Sequence, residues 1–387
     1  MRQRLLATAN QSIRIEALFP NYYENAWVGH SCKSILDGMQ LAGARTELSV
    51  FACGKGAKEP NVHSIMPRQL LRFVGSTSKP LNSFLLHRYF ETRIVPSTIA
   101  YFWLSSPPSL VSRVKSRGGF ALREMINCTA QLRREELDRA YDLLGWPNPT
   151  PVSDEEIRNE REELLACDAV YCPNPQVRAS VRAYGIPEDR CIDCSYGWSE
   201  SRLTSHAHAP QPHDGINVLF VGTLDVRKGI PWLLQAWRAA KIQGTLHLAG
   251  ALDPLIAQQG SKWLDQPNVK LLGHVKDVAT VYDKADFFVF PTWEEGGPMV
   301  TLEAMAHGLP SVVTPMGTSG AVTEREGIVV APGSVDALTD ALVRLASDAE
   351  LRKTLGDAAY QKSKDYTWTQ VGARRLAGLR CLLSQAA

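Results

Sequence analysis

Two carboxylates eight residues apart, Glu295 and Glu303, bracket the turn Gly296-Gly297-Pro298 within the stretch FFVFPTWEEGGPMVTLEAMAHGL, residues 287–309. An apolar run of strand length ends at Pro291, a loop follows, and Pro298 stands where a helix would begin. Glycine lets a backbone approach a ligand closely, and proline loses nothing at the first helical position, whose N–H has no partner in the helix. The helix start after Pro298, with Met299 and Val300, offers N–H groups and the positive end of the helix dipole. Both suit an anion such as a diphosphate. Glu303 lies ~7.5 Å along the axis from Pro298. Its neighbours Val300, Leu302, Ala304, Met305 and Ala306 make the helix apolar nearly all round, so burial is expected. A carboxylate there needs a partner: nucleotide ribose hydroxyls are one candidate, a buried salt bridge or a cap the other.

A second motif, VLFVGTLDVRKG over residues 218–229, runs from a strand ending at Gly222 through Thr223 to Arg227-Lys228-Gly229 before a helix. A lysine at a helix entrance brings a point charge to a dipole end, which suits a phosphate. Alone the pattern is common; its value is its pairing with the Glu303 segment in one sheet. A third segment, Pro20 to His30, carries Gly29-His30 ahead of a helix, and is equally an ordinary connector by its spacing.

These motifs need elements to hold them. After a polar, Pro-rich stretch from Ser199 to Asp214, apolar strand-length runs at 217–221, 245–249, 269–272, 286–290 and 311–314 alternate with helical patterns at 229–240, 253–264, 275–284 and 299–307. Unbroken apolar strands alternating with helices signify a parallel sheet covered on both faces. The first half alternates less regularly, with strands expected at 13–19, 47–51, 99–104 and 121–127 and helices at 30–42, 155–166 and 175–183. Helices at 335–346, 349–362 and about 369–383 read as covering elements. The expectation is α/β: two doubly wound, Rossmann-like domains facing across a cleft, with ligands at the strand carboxyl ends. The 199–214 stretch is the linker, and its His206, His208 and His213 sit in a Pro-broken segment poorly suited to a metal.

The 387 residues suit two domains, and 44% hydrophobic with 21% charged residues are ordinary globular values. No apolar run approaches the ~20 residues of a membrane span, and residues 1–10 have no signal-peptide pattern. Of eight cysteines, Cys191 and Cys194 form one CxxC near Cys167 and Cys172, without a second pair at zinc spacing. Ordinary reduced thiols in a cytoplasmic protein are expected. The net charge of +2 is unevenly spread: residues 61–123 hold nine Lys/Arg (68, 72, 79, 88, 93, 113, 115, 117, 123) against Glu91 alone. Two readings stand open, a solvated basic face or, given the interleaved Phe73, Phe84, Leu85, Leu86, Tyr89 and Phe90, contact with an anionic membrane or a phosphate-bearing acceptor. No nucleic-acid partner is expected.

Residues 216–346 resemble the donor-binding domain of the family-4, retaining glycosyltransferases of GT-B fold. Glu295-Gly-Gly-Pro-Met-Val-Thr-Leu-Glu303 is similar to that family's Glu-x7-Glu motif, and Gly222-Thr223 through Lys228-Gly229 resembles its donor-phosphate motif. A weaker likeness at residues 166–196 resembles the end of the acceptor domain. The resemblance implies an acceptor-binding domain at 1–198, a donor-binding domain at 215–365 and a final helix at 366–387 that crosses back. It implies that Glu295 contacts donor-sugar hydroxyls with help from backbone N–H groups around Gly297 to Val300, that Gly296 belongs to the same donor loop, and that Glu303 holds the ribose, Lys228 binds the diphosphate, and His274 and Val275 lie near the base. The family's Arg after the first glycine is Thr223 here, and Arg227 is the candidate to supply that charge. The family often places a His after a central acceptor-domain strand. Here that stretch is Arg123-Glu124-Met125-Ile126-Asn127-Cys128, leaving Gly29, His30, Glu124 and Asn127 as acceptor-side candidates.

Breaking a sugar–diphosphate bond builds negative charge on the leaving phosphate, which the helix start, Lys228 and Arg227 would meet. The resemblance implies retention of configuration. The chain has no Asp-x-Asp, so no metal and no cofactor are expected. A nucleotide-sugar donor and a glycan or lipid-linked acceptor are the expected partners. A glycoside hydrolase would need both carboxyls flanking one bond, which Glu303 on an apolar helix fits poorly. A nucleotide-sugar epimerase needs an acceptor-free reaction. Loss of Lys228 or of either glutamate would favour a nucleotide-binding scaffold, and all three are present.

Overall fold

The structure, a computed structural model, describes residues 12–20, 22–24, 27–54, 59–67, 79–200 and 215–385. Arg68, Arg72, Phe73 and the linker histidines lie outside these residues. The chain forms two units. One comprises Met1–Ala130, Ser153–Ser195 and Trp368–Ala387; the other comprises Gln131–Val152 and Tyr196–Thr367.

Among the described residues the first unit is built on seven parallel strands: β1 (Arg14–Phe19), β2 (Arg45–Val50), β3 (Val62–Ser64), β4 (Ile99–Phe102), β5 (Phe120–Glu124), β6 (Ala169–Cys172) and β7 (Cys191–Asp193), in the order β3-β2-β1-β4-β5-β6-β7. The order reverses between β1 and β4, the doubly wound pattern. Its helices are α1 (Trp27–Leu41), α2 (Lys79–Arg93), α3 (Pro108–Ser116), α5 (Asp154–Ala166), α6 (Pro175–Ala183) and, from the chain end, α14 (Trp368–Gln385); α4 (Ala130–Leu144) begins here and continues into the other unit. Strands β4, β5 and β6 are buried throughout, as unbroken apolar runs require. Leu86 and Phe90 of α2, Ile94 just past its end, and Leu110, Val111 and Val114 of α3 share a core with Leu18, Ala100, Phe102 and Ala121 of the sheet. Capping explains two helix starts: Ser153 accepts from Glu156 N, and Asn174 accepts from Val177 N with Pro175 following. Helices α1 and α14 cross at Gly38 and Gly372, where a Cβ on either residue would collide with the other helix's backbone.

Among the described residues the second unit has six parallel strands: β8 (Ile216–Val221), β9 (Gly244–Ala249), β10 (Val269–Gly273), β11 (Phe287–Phe290), β12 (Ser311–Val313) and β13 (Gly327–Val329), in the order β10-β9-β8-β11-β12-β13. Here the reversal falls between β8 and β11, the two strands that lead into the candidate motifs. The helices are α7 (Ile230–Ala240), α8 (Pro254–Gln259), α9 (Ser261–Leu264), α10 (Ala279–Tyr282), α11 (Met299–Ala306), α12 (Val335–Ser347) and α13 (Ala349–Ser363).

Four sequence expectations change. The helix expected at 253–264 is two short ones divided at Gly260, and that expected at 275–284 is helical only over Ala279–Tyr282. The strand expected at 121–127 runs from Phe120 to Glu124. Residues 131–152, expected within the first domain, pack with the second unit because their large side chains find partners there. Trp146 stacks on Trp263 with centroids 5.8 Å apart, and the Arg139 guanidinium lies 5.6 Å over the Trp293 ring.

Candidate functional site

The loops after β8 and β11 are bonded to each other. Trp293 N donates to Arg227 O at 2.8 Å, and the Thr292 hydroxyl lies within bonding distance of Arg227 O and Glu294 O. Helix α7 follows directly on Gly229, whose φ of 77° and packing exclude a side chain, since a Cβ there would collide with the Pro291 carbonyl. The Asp225 carboxylate accepts the Lys228 N–H at 2.8 Å and turns the chain into that helix.

This geometry brings two cations and two carboxylates together. Lys228 forms an ion pair with Glu295 Oε1, and Arg227 Nη1 lies 3.2 Å from Glu294 Oε2 and 3.4 Å from Glu295 Oε1. Glu294 is fully buried, and Lys228 and Glu295 are each 8% exposed. The Lys228 ammonium also lies 5.2 Å over the Phe290 ring. Burial, reinforced by the Arg227 charge, pushes the Lys228 pKa down to about 7, against the pull of Asp225 and Glu294. Burial also raises the Asp225 carboxyl.

Pro298 precedes α11 without a side-chain cap, and Gly297 packs where a Cβ would meet the Tyr196 ring. Gly296 is buried, while Gly297, Met299 and Val300 are half-buried. Within α11, Leu302, Ala304, Met305 and Ala306 are buried. Glu303, like Met299 and Val300, is half-buried. Gly222, Gly250 and Gly273 end the adjacent strands β8, β9 and β10; Gly250 N donates to Gly273 O at 2.8 Å, and Thr223 and His274 are exposed with Val275 half-buried beyond them. The segments 222–228 and 295–303 thus follow the carboxyl ends of β8 and β11, at the sheet's point of reversal, and His274 and Val275 follow β10 at its edge.

The acceptor-side candidates belong to the first unit. Gly29 is buried in the first turn of α1, and His30 meets the Trp368 ring edge-on at 6.1 Å. Asn127 is half-buried in the loop after β5. Glu124 differs from expectation: it is fully buried, with Arg375 Nη1 and Nη2 of α14 at 2.6 and 3.1 Å and the Tyr101 hydroxyl bonded to it. Its carboxylate serves this ion pair, and it leaves the acceptor set. Among the described residues no group of three or more His, Cys, Asp or Glu could hold a metal ion, and no helix is long and apolar enough to cross a membrane. Among the described residues no disulfide is formed.

Glu294 and Asp225 escaped the sequence reading. Each had a local signal: a second carboxylate beside Glu295, and an Asp three residues before a lysine that opens a helix.

Residues 215–348 match the family described as glycosyl transferases group 1. The D-inositol 3-phosphate glycosyltransferase of Kribbella flavida is 33% identical over 311 residues, 73% of this chain and 70% of that protein. The chain belongs to the group 1 glycosyltransferases. The capsular polysaccharide biosynthesis glycosyltransferase CapM of Staphylococcus aureus is 32% identical over 152 residues, 37% of this chain. Against CapM and two further curated relatives, the match spans 40%, 42% and 46% of their length. Anabaena HepE in complex with UDP and glucose superposes with a TM-score of 0.68 at 14% identity, covering 95% of this chain and 100% of HepE. The fold of this group 1 glycosyltransferase is GT-B.

Proposed function

We propose that this protein transfers a hexose, with retention and without a metal ion, from a nucleotide-diphosphate sugar to a glycan or lipid-linked acceptor in bacterial surface polysaccharide or glycoconjugate synthesis. The observation that carries the proposal is the Arg227–Lys228–Glu294–Glu295 network beside the start of α11. In it, a diphosphate competes with Glu295 for Lys228. Donor binding draws the ammonium to the phosphates and releases Glu295 to the sugar hydroxyls. Arg227 and the N–H groups at the start of α11 hold the remaining charge, Gly222 and Thr223 admit the phosphates, and His274 and Val275 border the base. The departing diphosphate takes the acceptor proton on the face it leaves. Gly29, His30 and Asn127 serve the acceptor. Support comes from relatives named for capsule synthesis and for glycosyl transfer to inositol phosphate, and from the UDP and glucose held by HepE.

The test is the pH dependence of donor binding. A nucleotide sugar has no phosphate that titrates near neutrality, whereas Lys228 sits at about 7 in the free protein. Binding favours its charged form, so it takes up roughly half a proton at pH 7. Affinity holds below pH 7 and falls above it, by at most about tenfold per pH unit. UDP-, GDP- and ADP-hexoses screened by thermal shift identify the donor, and calorimetry in buffers of different ionisation enthalpy counts the proton. A constant affinity from pH 6.5 to 8.5, without proton uptake, contradicts the assignment.

We also propose a cytoplasmic protein seated at the inner face of the membrane. Helix α2 exposes Leu81 (57%), Phe84 (59%) and Leu85 (41%), with Arg88 one turn on from Phe84 and Leu85. Apolar side chains flanked by arginine suit an anionic interface. Phe84→Asp is expected to reduce co-sedimentation with phosphatidylglycerol vesicles at least fivefold, and the wild type to ignore phosphatidylcholine vesicles. Equal sedimentation with both lipids, or none, would refute it.

A further inference from the structure

Glu303 does not stand alone. Tyr282, the last residue of α10, is fully buried, and its hydroxyl lies 3.1 Å from Glu303 Oε2 and 3.2 Å from Val300 O. A phenol has one hydrogen to donate. Of these two acceptors the carboxylate oxygen carries the charge, and charge-assisted bonds are the stronger. The Tyr282 ring is itself fixed. It stacks on His307 with centroids 5.0 Å apart and an interplanar angle of 24°, and lies 6.0 Å from the Phe288 ring. His307 Nδ1 lies 2.8 Å from Glu303 O, and its Nε2 is 3.7 Å from Asp283. Tyr282 therefore spans two places that a nucleoside would touch: its helix follows the loop at 273–278, and its hydroxyl ends on the α11 carboxylate.

We infer that Tyr282 is a positioning residue for nucleotide recognition, holding one oxygen of Glu303 so that the carboxylate faces the two ribose hydroxyls of the donor. The inference rests on the donor-site reading above and adds to it a residue and a specificity, for ribose bearing its 2′ and 3′ hydroxyls. A neutral donor suits the task. A lysine or arginine in its place would neutralise the carboxylate and compete with the sugar for it, whereas a phenol orients Glu303 and leaves its charge. Burial, with the Glu303 charge beside it, keeps the Tyr282 hydroxyl protonated far above the ordinary tyrosine range. The bond therefore persists across the pH range in which Lys228 titrates.

Tyr282→Phe keeps the ring and its stacking and removes only the hydroxyl. Dissociation constants are measured by calorimetry for UDP, GDP and ADP and for their 2′,3′-dideoxy counterparts, with wild type, Tyr282→Phe and Glu303→Gln. A thermal melt confirms folding of each variant. The wild type is expected to prefer the ribonucleotide of its cognate base over the dideoxy form. Tyr282→Phe is expected to reduce that preference about tenfold, the size of one hydrogen bond to a charged group. Its affinity for the dideoxy form is expected to stay within about twofold of wild type. Glu303→Gln should abolish the preference. An equal loss of affinity for both forms in Tyr282→Phe would assign the hydroxyl a purely structural role and overturn the inference. So would a wild-type preference retained in Tyr282→Phe but lost in Glu303→Gln. If the wild type binds none of the three nucleotides, or Glu303→Gln keeps the preference, the donor-site reading itself fails and the inference falls with it.

Discussion

Lys228→Ala lowers kcat/KM for the nucleotide sugar by about 10²–10³, the usual loss when one preorganised donor to a developing negative charge is removed. The lysine is buried, so its charge acts on a bound phosphate with little screening by water. Arg227 remains in the variant, 3.4 Å from Glu295, and keeps that carboxylate from standing alone, so the melting temperature changes little. Glu295→Gln has a different signature. It is expected to lower kcat about tenfold to a hundredfold without weakening nucleoside diphosphate binding, because its proposed contact is with the sugar and the lost carboxylate no longer competes for Lys228. Steady-state kinetics alongside calorimetry separate the two effects. Both variants turning over at the wild-type rate would remove the network from the mechanism.

Arg375→Ala is expected to destabilise the first unit by about 3–5 kcal/mol, because it leaves Glu124 charged and without its ion-pair partner in a fully buried site. The arginine is engaged on every side. It bonds Glu124, the Tyr101 hydroxyl at 3.1 Å and the Ser195 carbonyl at 2.8 and 3.1 Å, and its guanidinium lies 5.0 Å over Tyr171. The Tyr171 hydroxyl closes the circle by donating to Arg375 O at 2.7 Å. The ion pair thereby joins α14 to β5, across 251 residues of sequence. At 2–4 °C per kcal/mol for a unit of this size, the corresponding melting transition falls by roughly 10 °C. The double variant Glu124→Leu with Arg375→Met removes both charges and should recover much of the loss. Calorimetric melts of the two variants are the check. A shift under 2 °C for Arg375→Ala, or no recovery in the double variant, would show that the pair does not hold this helix.

The contrast between these two sites explains what was legible in the sequence. Gly222, Lys228, Glu295 and Glu303 each sit within a few residues of a strand end or a helix start, so local pattern and turn chemistry locate them. The unbroken apolar runs around them announce a parallel sheet in the same way. Glu124 misled because its partner is remote: nothing near Arg123-Glu124-Met125 indicates that Arg375 will reach it. Tyr282 was invisible for the same reason, standing 21 residues from Glu303 on a helix of a single turn. The excursion of residues 131–152 into the second unit depends on Trp146 meeting Trp263 and Arg139 meeting Trp293, pairings that no periodicity encodes. Helix boundaries shifted where a glycine, Gly260, allowed a break that the apolar spacing alone would have bridged.

The central claim is that this protein cleaves the sugar–diphosphate bond of a nucleotide sugar at the Lys228–Glu295 site. Its most direct test is release of nucleoside diphosphate from UDP-, GDP- and ADP-hexoses by the wild-type protein, with an acceptor-bearing membrane extract and without added metal. One donor of the three is predicted to yield its nucleoside diphosphate above the protein-free rate, with the hexose transferred in its original anomeric configuration. Release from none of them, or cleavage of an aryl glycoside that carries no nucleotide, would contradict the account.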